Sequence, residues 1–121
     1  GVLAIAAALL GAGQVTAIDN DPQALAATRS NARRNAVGVT CAAPGAELPG
    51  ADLILANILA GPLMELRDML CGAAAVGGMV VLSGIKPEQG EAMLAAYGQV
   101  LVDLQTTERD GWLRIVGRKP A

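Results

Sequence analysis

A chain of 121 residues is enough for one domain, and 53% hydrophobic residues make it a folding chain and not a disordered one. Its net charge of −2 gives no basic field for a nucleic-acid backbone. It has no histidine and only two cysteines, Cys41 and Cys71, so neither an imidazole base nor a zinc site is expected, and both cysteines read as small hydrophobes in a reducing compartment.

Gly1 to Leu10 is apolar on every side of a helical wheel, which predicts a helix covered by protein on most faces. The run is too short for a membrane span, which needs about 20 residues, and it lacks the basic flank of a signal peptide. Gly11-Ala12-Gly13 ends it. Gln14 to Ile18 is β-branched and predicts a short buried strand. Asp21 suits an N-cap and Pro22 a first helical position, so a helix runs to about Asn35, closed by Asn35 and Gly38. Val39 to Ala42 is the next strand, followed by a Pro/Gly loop through Pro49.

Asp52 to Ala56 is a buried strand halted at Asn57. Gly61-Pro62 opens one helix that runs to about Ala74. Gly77-Gly78 turns the chain into a strand at Met79 to Ser83. Pro87 marks another helix start, ending near Tyr97. Val100 to Thr106, the turn Asp110-Gly111 and Trp112 to Val116 make a closing hairpin.

Strands separated by helices imply right-handed parallel crossovers, hence a Rossmann-like, doubly wound and mostly parallel α/β sheet with an antiparallel C-terminal hairpin. Ligands in such sheets sit beyond the carboxyl ends of the strands. Asp19 stands at one such end. It follows Gly1 by 18 positions, close to the spacing of about 20 at which an acid grips a ribose diol, because one carboxylate accepts from both hydroxyls. The loop from Cys41 to Pro49 should pass an adenine ring but offers no distinctive side chain. Asn57 ends its strand with an amide that could face a ligand ammonium or an amine substrate, or could simply stop the strand as a turn residue.

The segment around Asn57, N-I-L-A-G-P-L (Asn57 to Leu63), resembles the signature of the ribosomal protein L11 methyltransferase (PrmA) family. A-I-D-N-D-P-Q-A-L (Ala17 to Leu25), L-S-G-I (Leu82 to Ile85), A-A-Y (Ala95 to Tyr97) and W-L-R-I-V-G-R-K (Trp112 to Lys119) are similar to further family segments, in order and over nearly the whole chain. The resemblance implies a class I methyltransferase fold and methyl transfer from S-adenosylmethionine to amino groups (lysine side chains, the N-terminus) of a large-subunit ribosomal stalk protein, in the cytoplasm, with no metal, membrane or nucleic-acid partner. Carried over by position, Asp19 would hold the cofactor ribose, Asn57 would lie beside the transferring methyl as catalytic and cofactor-binding residue, and Gly1 would be the last glycine of the family's D-x-G-x-G-x-G turn.

Against that pattern the first strand, its glycine turn and the substrate-recognition domain are expected to be missing, which makes residues 1–121 a partial domain. Losing about five buried apolar residues at roughly 1.5–3 kcal/mol each forfeits on the order of 10 kcal/mol, comparable with a typical net stability of about 5–15 kcal/mol. The chain by itself is therefore expected to be inactive, and an inactive fragment or non-enzymatic module is the alternative reading. Asn20, in place of an apolar residue, and Gly111, in place of an acid, depart from the family pattern. A nicotinamide-dependent dehydrogenase fits less well, since the hairpin reverses the last strand and there is no His or catalytic Tyr pair.

Overall fold

The computed structural model describes residues 1–43 and 50–121. The 44–49 part of the expected Pro/Gly loop lies outside the described residues. Contacts divide the chain into two compact units, Gly1–Glu47 and Leu48–Ala121.

The first unit runs α1 (Val2–Leu9), β1 (Thr16–Ile18), α2 (Pro22–Arg34) and β2 (Thr40–Ala42). β1 and β2 pair in parallel, Thr16 opposite Thr40 and Ile18 opposite Ala42, as the connecting helix requires. Asp21 caps α2, its Oδ1 accepting from the Gln23 N–H at 2.9 Å, and Pro22 takes the first turn, as the sequence predicts. Both helices end in the same device. Gly11 (φ 104) lets Ala12 N–H reach Ala7 O and Gly11 N–H reach Ala8 O, a double bond pattern that satisfies carbonyls of the last turn. At α2 the corresponding left-handed position is Ala36 (φ 54), with Val37 N–H on Ala32 O and Ala36 N–H on Arg33 O. The helix thus closes one residue past Asn35 on an alanine, not at Gly38. Ile5 of α1 and Leu25, Thr28 and Ala32 of α2 are the buried side chains of the two helices.

The second unit comprises β3 (Ala51–Asn57), α3 (Ala60–Glu65), α4 (Arg67–Gly72), β4 (Ala74–Ile85), a 3-10 turn at Pro87–Gln89, α5 (Gly90–Tyr97), β5 (Val102–Arg109) and β6 (Trp112–Arg118). Its sheet has the order β3-β4-β6-β5. β3 and β4 are parallel, and β6 runs antiparallel to both β4 and β5, so only β6 is reversed. The predicted mixed α/β architecture, mostly parallel with a closing antiparallel hairpin, is the one observed. Asp110 and Gly111 both carry positive φ (53° and 79°), the pairing a two-residue hairpin turn needs.

Two expectations are corrected. The single helix from Gly61 to about Ala74 is bent at Leu66 into α3 and α4. The bonds crossing the bend run from Leu66 N–H to Pro62 O and from Leu70 N–H to Leu66 O. The Leu63 carbonyl instead accepts from the Tyr97 hydroxyl at 2.6 Å, and a side chain inserted into the i→i−4 ladder is a recognised cause of bending. The fourth strand begins at Ala74, not Met79. Gly77-Gly78 lie within it, where pairing jumps from Ala51/Ala74 to Leu53/Met79 and Gly77 has φ 78°. The glycines form an irregularity in the strand instead of a turn before it. The core behind this sheet is built by Leu63, Val80, Leu82, Ile85, Met93, Tyr97 and Ile115, all essentially without exposure.

Candidate functional site

In the first unit Asp19 directly follows β1. Its N–H donates to Ala42 O at 3.3 Å, and its Oδ1 accepts from the Asp21 N–H at 2.9 Å. The carboxylate is exposed. One oxygen is therefore pinned by the chain, and the other makes no hydrogen bond among the described residues. Asp21 is committed to capping, so the two acids of D-N-D have different work, as the sequence suggests. Gly1 starts α1 and packs on α2. A Cβ there would stand 2.6 Å from Thr28 Oγ1 and 3.0 Å from Thr28 Cγ2, closer than any side chain tolerates, so the close approach of the two helices needs glycine.

In the second unit Asn57 is the last residue of β3, exposed, and opposite Ser83 in the parallel register with β4. Beside it β4 contains Gly84 at φ 83°, where a Cβ would stand 2.9 Å from Asn57 Oδ1 and 2.8 Å from Ile58 O. The amide oxygen of Asn57 occupies space that only a glycine leaves open. An open cleft of about 500 Å³ is lined by Asn57, Ile58, Leu59, Ser83, Gly84 and Trp112. Trp112, at the start of β6, is half exposed.

Ser83, Gly84 and Trp112 carry no role in the sequence reading. The available signal was an isolated glycine in a strand, which often marks close backbone approach. Hairpin pairing and the Asn57–Ser83 register supply the rest. Tyr97 is a core residue, with burial as the main cause and the Cys71 thiol as the second pushing its hydroxyl up to about 12. Burial likewise raises the Cys71 thiol, which suppresses the reactive thiolate. Among the described residues no group of three or more His, Cys, Asp or Glu could hold a metal ion, and no helix is long and apolar enough to cross a membrane.

The profile of the family described as ribosomal protein L11 methyltransferase (PrmA) matches residues 1–120. The ribosomal protein L11 methyltransferase of Methylococcus capsulatus is 50% identical over 121 residues, covering 97% of this chain and 41% of that protein. The Pseudomonas aeruginosa protein of the same name is 48% identical over 127 residues, covering 100% and 42%. The chain thus spans about two fifths of the length of these relatives. Among solved structures, the ribosomal protein L11 methylase of Lactobacillus delbrueckii subsp. bulgaricus superposes with a TM-score of 0.84 at 29% identity, covering 100% of this chain and 66% of that one. An RNA methyltransferase of Salinibacter ruber, solved with S-adenosyl-L-homocysteine, shares the fold at a TM-score of 0.76 and 21% identity. The chain belongs to the ribosomal protein L11 methyltransferase (PrmA) family.

Proposed function

We propose that this chain is the cofactor-binding and catalytic part of a cytoplasmic S-adenosylmethionine-dependent methyltransferase acting on amino groups, lysine side chains or the N-terminus, of a large-subunit ribosomal protein. The carrying observation is Asn57: an exposed amide at a strand's carboxyl end, lining an open cleft, with its oxygen in space that Gly84 leaves open.

The residues present fit the cofactor's chemistry. A ribose diol offers two hydroxyl donors, and Asp19 offers an exposed carboxylate whose orientation the Asp21 amide holds. Gly1 keeps α1 close to α2 at the start of the same unit. When bound, S-adenosylmethionine supplies an electrophilic methyl group on a sulfonium centre. The rest of the task is alignment. Asn57 Oδ1 accepts an N–H of the incoming amine and so aims its lone pair. An amide is too weak a base to take up the proton, so Asn57 only accepts the N–H. Attack needs the nitrogen lone pair, so the ammonium form first gives a proton to water through the open cleft and the amine reacts in its neutral form. The methylated product starts as an ammonium, while the sulfonium leaves as a neutral thioether.

The test uses the protein expressed from its complete reading frame, with radiolabelled S-adenosylmethionine and purified ribosomal protein L11. Label should appear in L11. Asn57→Ala should lower kcat roughly 100-fold, the scale of a misaligned reactant, and weaken cofactor binding less than it lowers kcat. Asp19→Ala should weaken cofactor binding about 10- to 100-fold by calorimetry, as expected for lost hydrogen bonds to a charged acceptor. No label in L11 with the wild-type protein overturns the reading, and unchanged affinity in Asp19→Ala removes that residue from the site.

A further inference from the structure

A neutral primary amine that attacks through its lone pair carries two N–H bonds. Both must find acceptors if the lone pair is to point one way, because an unpaired donor in a desolvated site is costly and leaves the amine free to rotate. If Asn57 takes one, as proposed above, a second acceptor has to sit beside it. Ser83 lies directly opposite Asn57 in the β3–β4 register and lines the same cleft. Its hydroxyl makes no hydrogen bond to any described residue, while no buried side-chain oxygen or nitrogen among them is left without a partner. The Ser83 oxygen is therefore unpaired among the described residues and not fully buried, on a half-buried residue. Gly84, next in the chain, adds no side chain that would screen it.

We infer that Ser83 is a second substrate-orienting residue, whose Oγ accepts the other N–H of a primary amine. A hydroxyl rotates about its C–O bond, so it accepts from the amine while donating its own hydrogen to water. This assigns the pair a selectivity. A primary amine uses both acceptors. A singly methylated amine has one N–H left and needs only Asn57. Ser83 thus accelerates the first methyl transfer to a given nitrogen more than the next one.

The experiment rests on the proposed site and separates the two. The protein from the complete reading frame is assayed, in wild-type, Ser83→Ala, Ser83→Thr and Asn57→Ala forms, on ribosomal protein L11 made with lysine or with Nε-monomethyllysine at the acceptor position. Calorimetry gives cofactor affinity in parallel. Ser83→Ala should lower kcat/KM about tenfold on the lysine form, the size of one lost hydrogen bond, and less than about twofold on the monomethyllysine form. Ser83→Thr, which keeps the hydroxyl, should restore the wild-type ratio. Asn57→Ala should slow both acceptors. Equal slowing of both by Ser83→Ala, or none, overturns the Ser83 assignment. A normal rate in Asn57→Ala instead overturns the reading of the site itself.

Discussion

Tyr97 is the only tyrosine of the chain, it is fully buried, and its hydroxyl donates to Leu63 O across 2.6 Å, where α3 bends into α4. Tyr97→Phe keeps the ring and its packing but removes the donor. A buried acceptor left without its partner costs about 1–3 kcal/mol, so the substitution should lower unfolding free energy by that amount near neutral pH. The alkaline limb tests the same contact independently. Burial, with the Cys71 thiol as the smaller contributor, holds the Tyr97 hydroxyl up at about 12, against an ordinary value of 10. The unfolded chain therefore loses this proton first. The stabilisation is complete below about pH 10 and disappears as the pH climbs towards 12, a gap on the order of 2–3 kcal/mol. Urea unfolding of both forms in the complete protein, followed from neutral to alkaline pH, reads this directly. The wild type should lose its advantage over Tyr97→Phe across that window, since every other group is common to both forms and cancels in the difference. Equal urea midpoints at neutral pH, or a difference that stays constant through the alkaline window, would refute the role given to this hydroxyl.

Gly84→Ala places a methyl group 2.9 Å from Asn57 Oδ1 and 2.8 Å from Ile58 O at φ 83°; left-handed strain and overpacking together should cost about 2–5 kcal/mol, and kcat should fall with the displaced amide even at temperatures where the variant stays folded. Circular dichroism melting and label transfer check the two halves, and an active, equally stable variant would show that the space beside Asn57 is not needed. Gly1→Ala meets Thr28 at 2.6 Å and should cost about 1–3 kcal/mol, most of it recovered in the double variant Gly1→Ala with Thr28→Ala; a double variant no better than the single one contradicts the packing. Ala36→Gly, at φ 54° on an exposed helix end, should stabilise by about 0.5–1 kcal/mol, seen as a raised urea midpoint.

What could be read from residue order, and what could not, divides along the range of the forces involved. Local chemistry was legible. Asp21 before Pro22 announces a helix start because the cap lies two residues from its target, and Asp110-Gly111 announces a hairpin because both residues tolerate positive φ. Asn57 was legible too, as a polar stop at the end of an apolar strand. The bend at Leu66 was not, because its partner Tyr97 is 34 positions from Leu63 and no local pattern announces an inserted hydroxyl. Gly77-Gly78 misled for the opposite reason: a glycine pair is equally suited to a turn and to a strand irregularity, and the pairing partner decides between them. Ala36 closes α2 where Gly38 was expected, since the hydrogen bonds to Ala32 and Arg33 fix the position at which the chain must turn left-handed.

The cleft follows the same rule. Asn57 could be named from its own strand, but its surroundings come from β4 and β6, and they assemble only when the register sets Ser83 opposite Asn57 and the hairpin brings Trp112 to the cleft. A single amide can accept one N–H from an amine. Orienting a primary amine takes a second acceptor, and the hydroxyl that shares the cleft with Asn57 is brought there by sheet pairing and not by sequence neighbourhood. A cleft whose polar lining comes from three strands therefore leaves a faint trace in any one segment of the sequence and becomes definite only in the pairing of its strands.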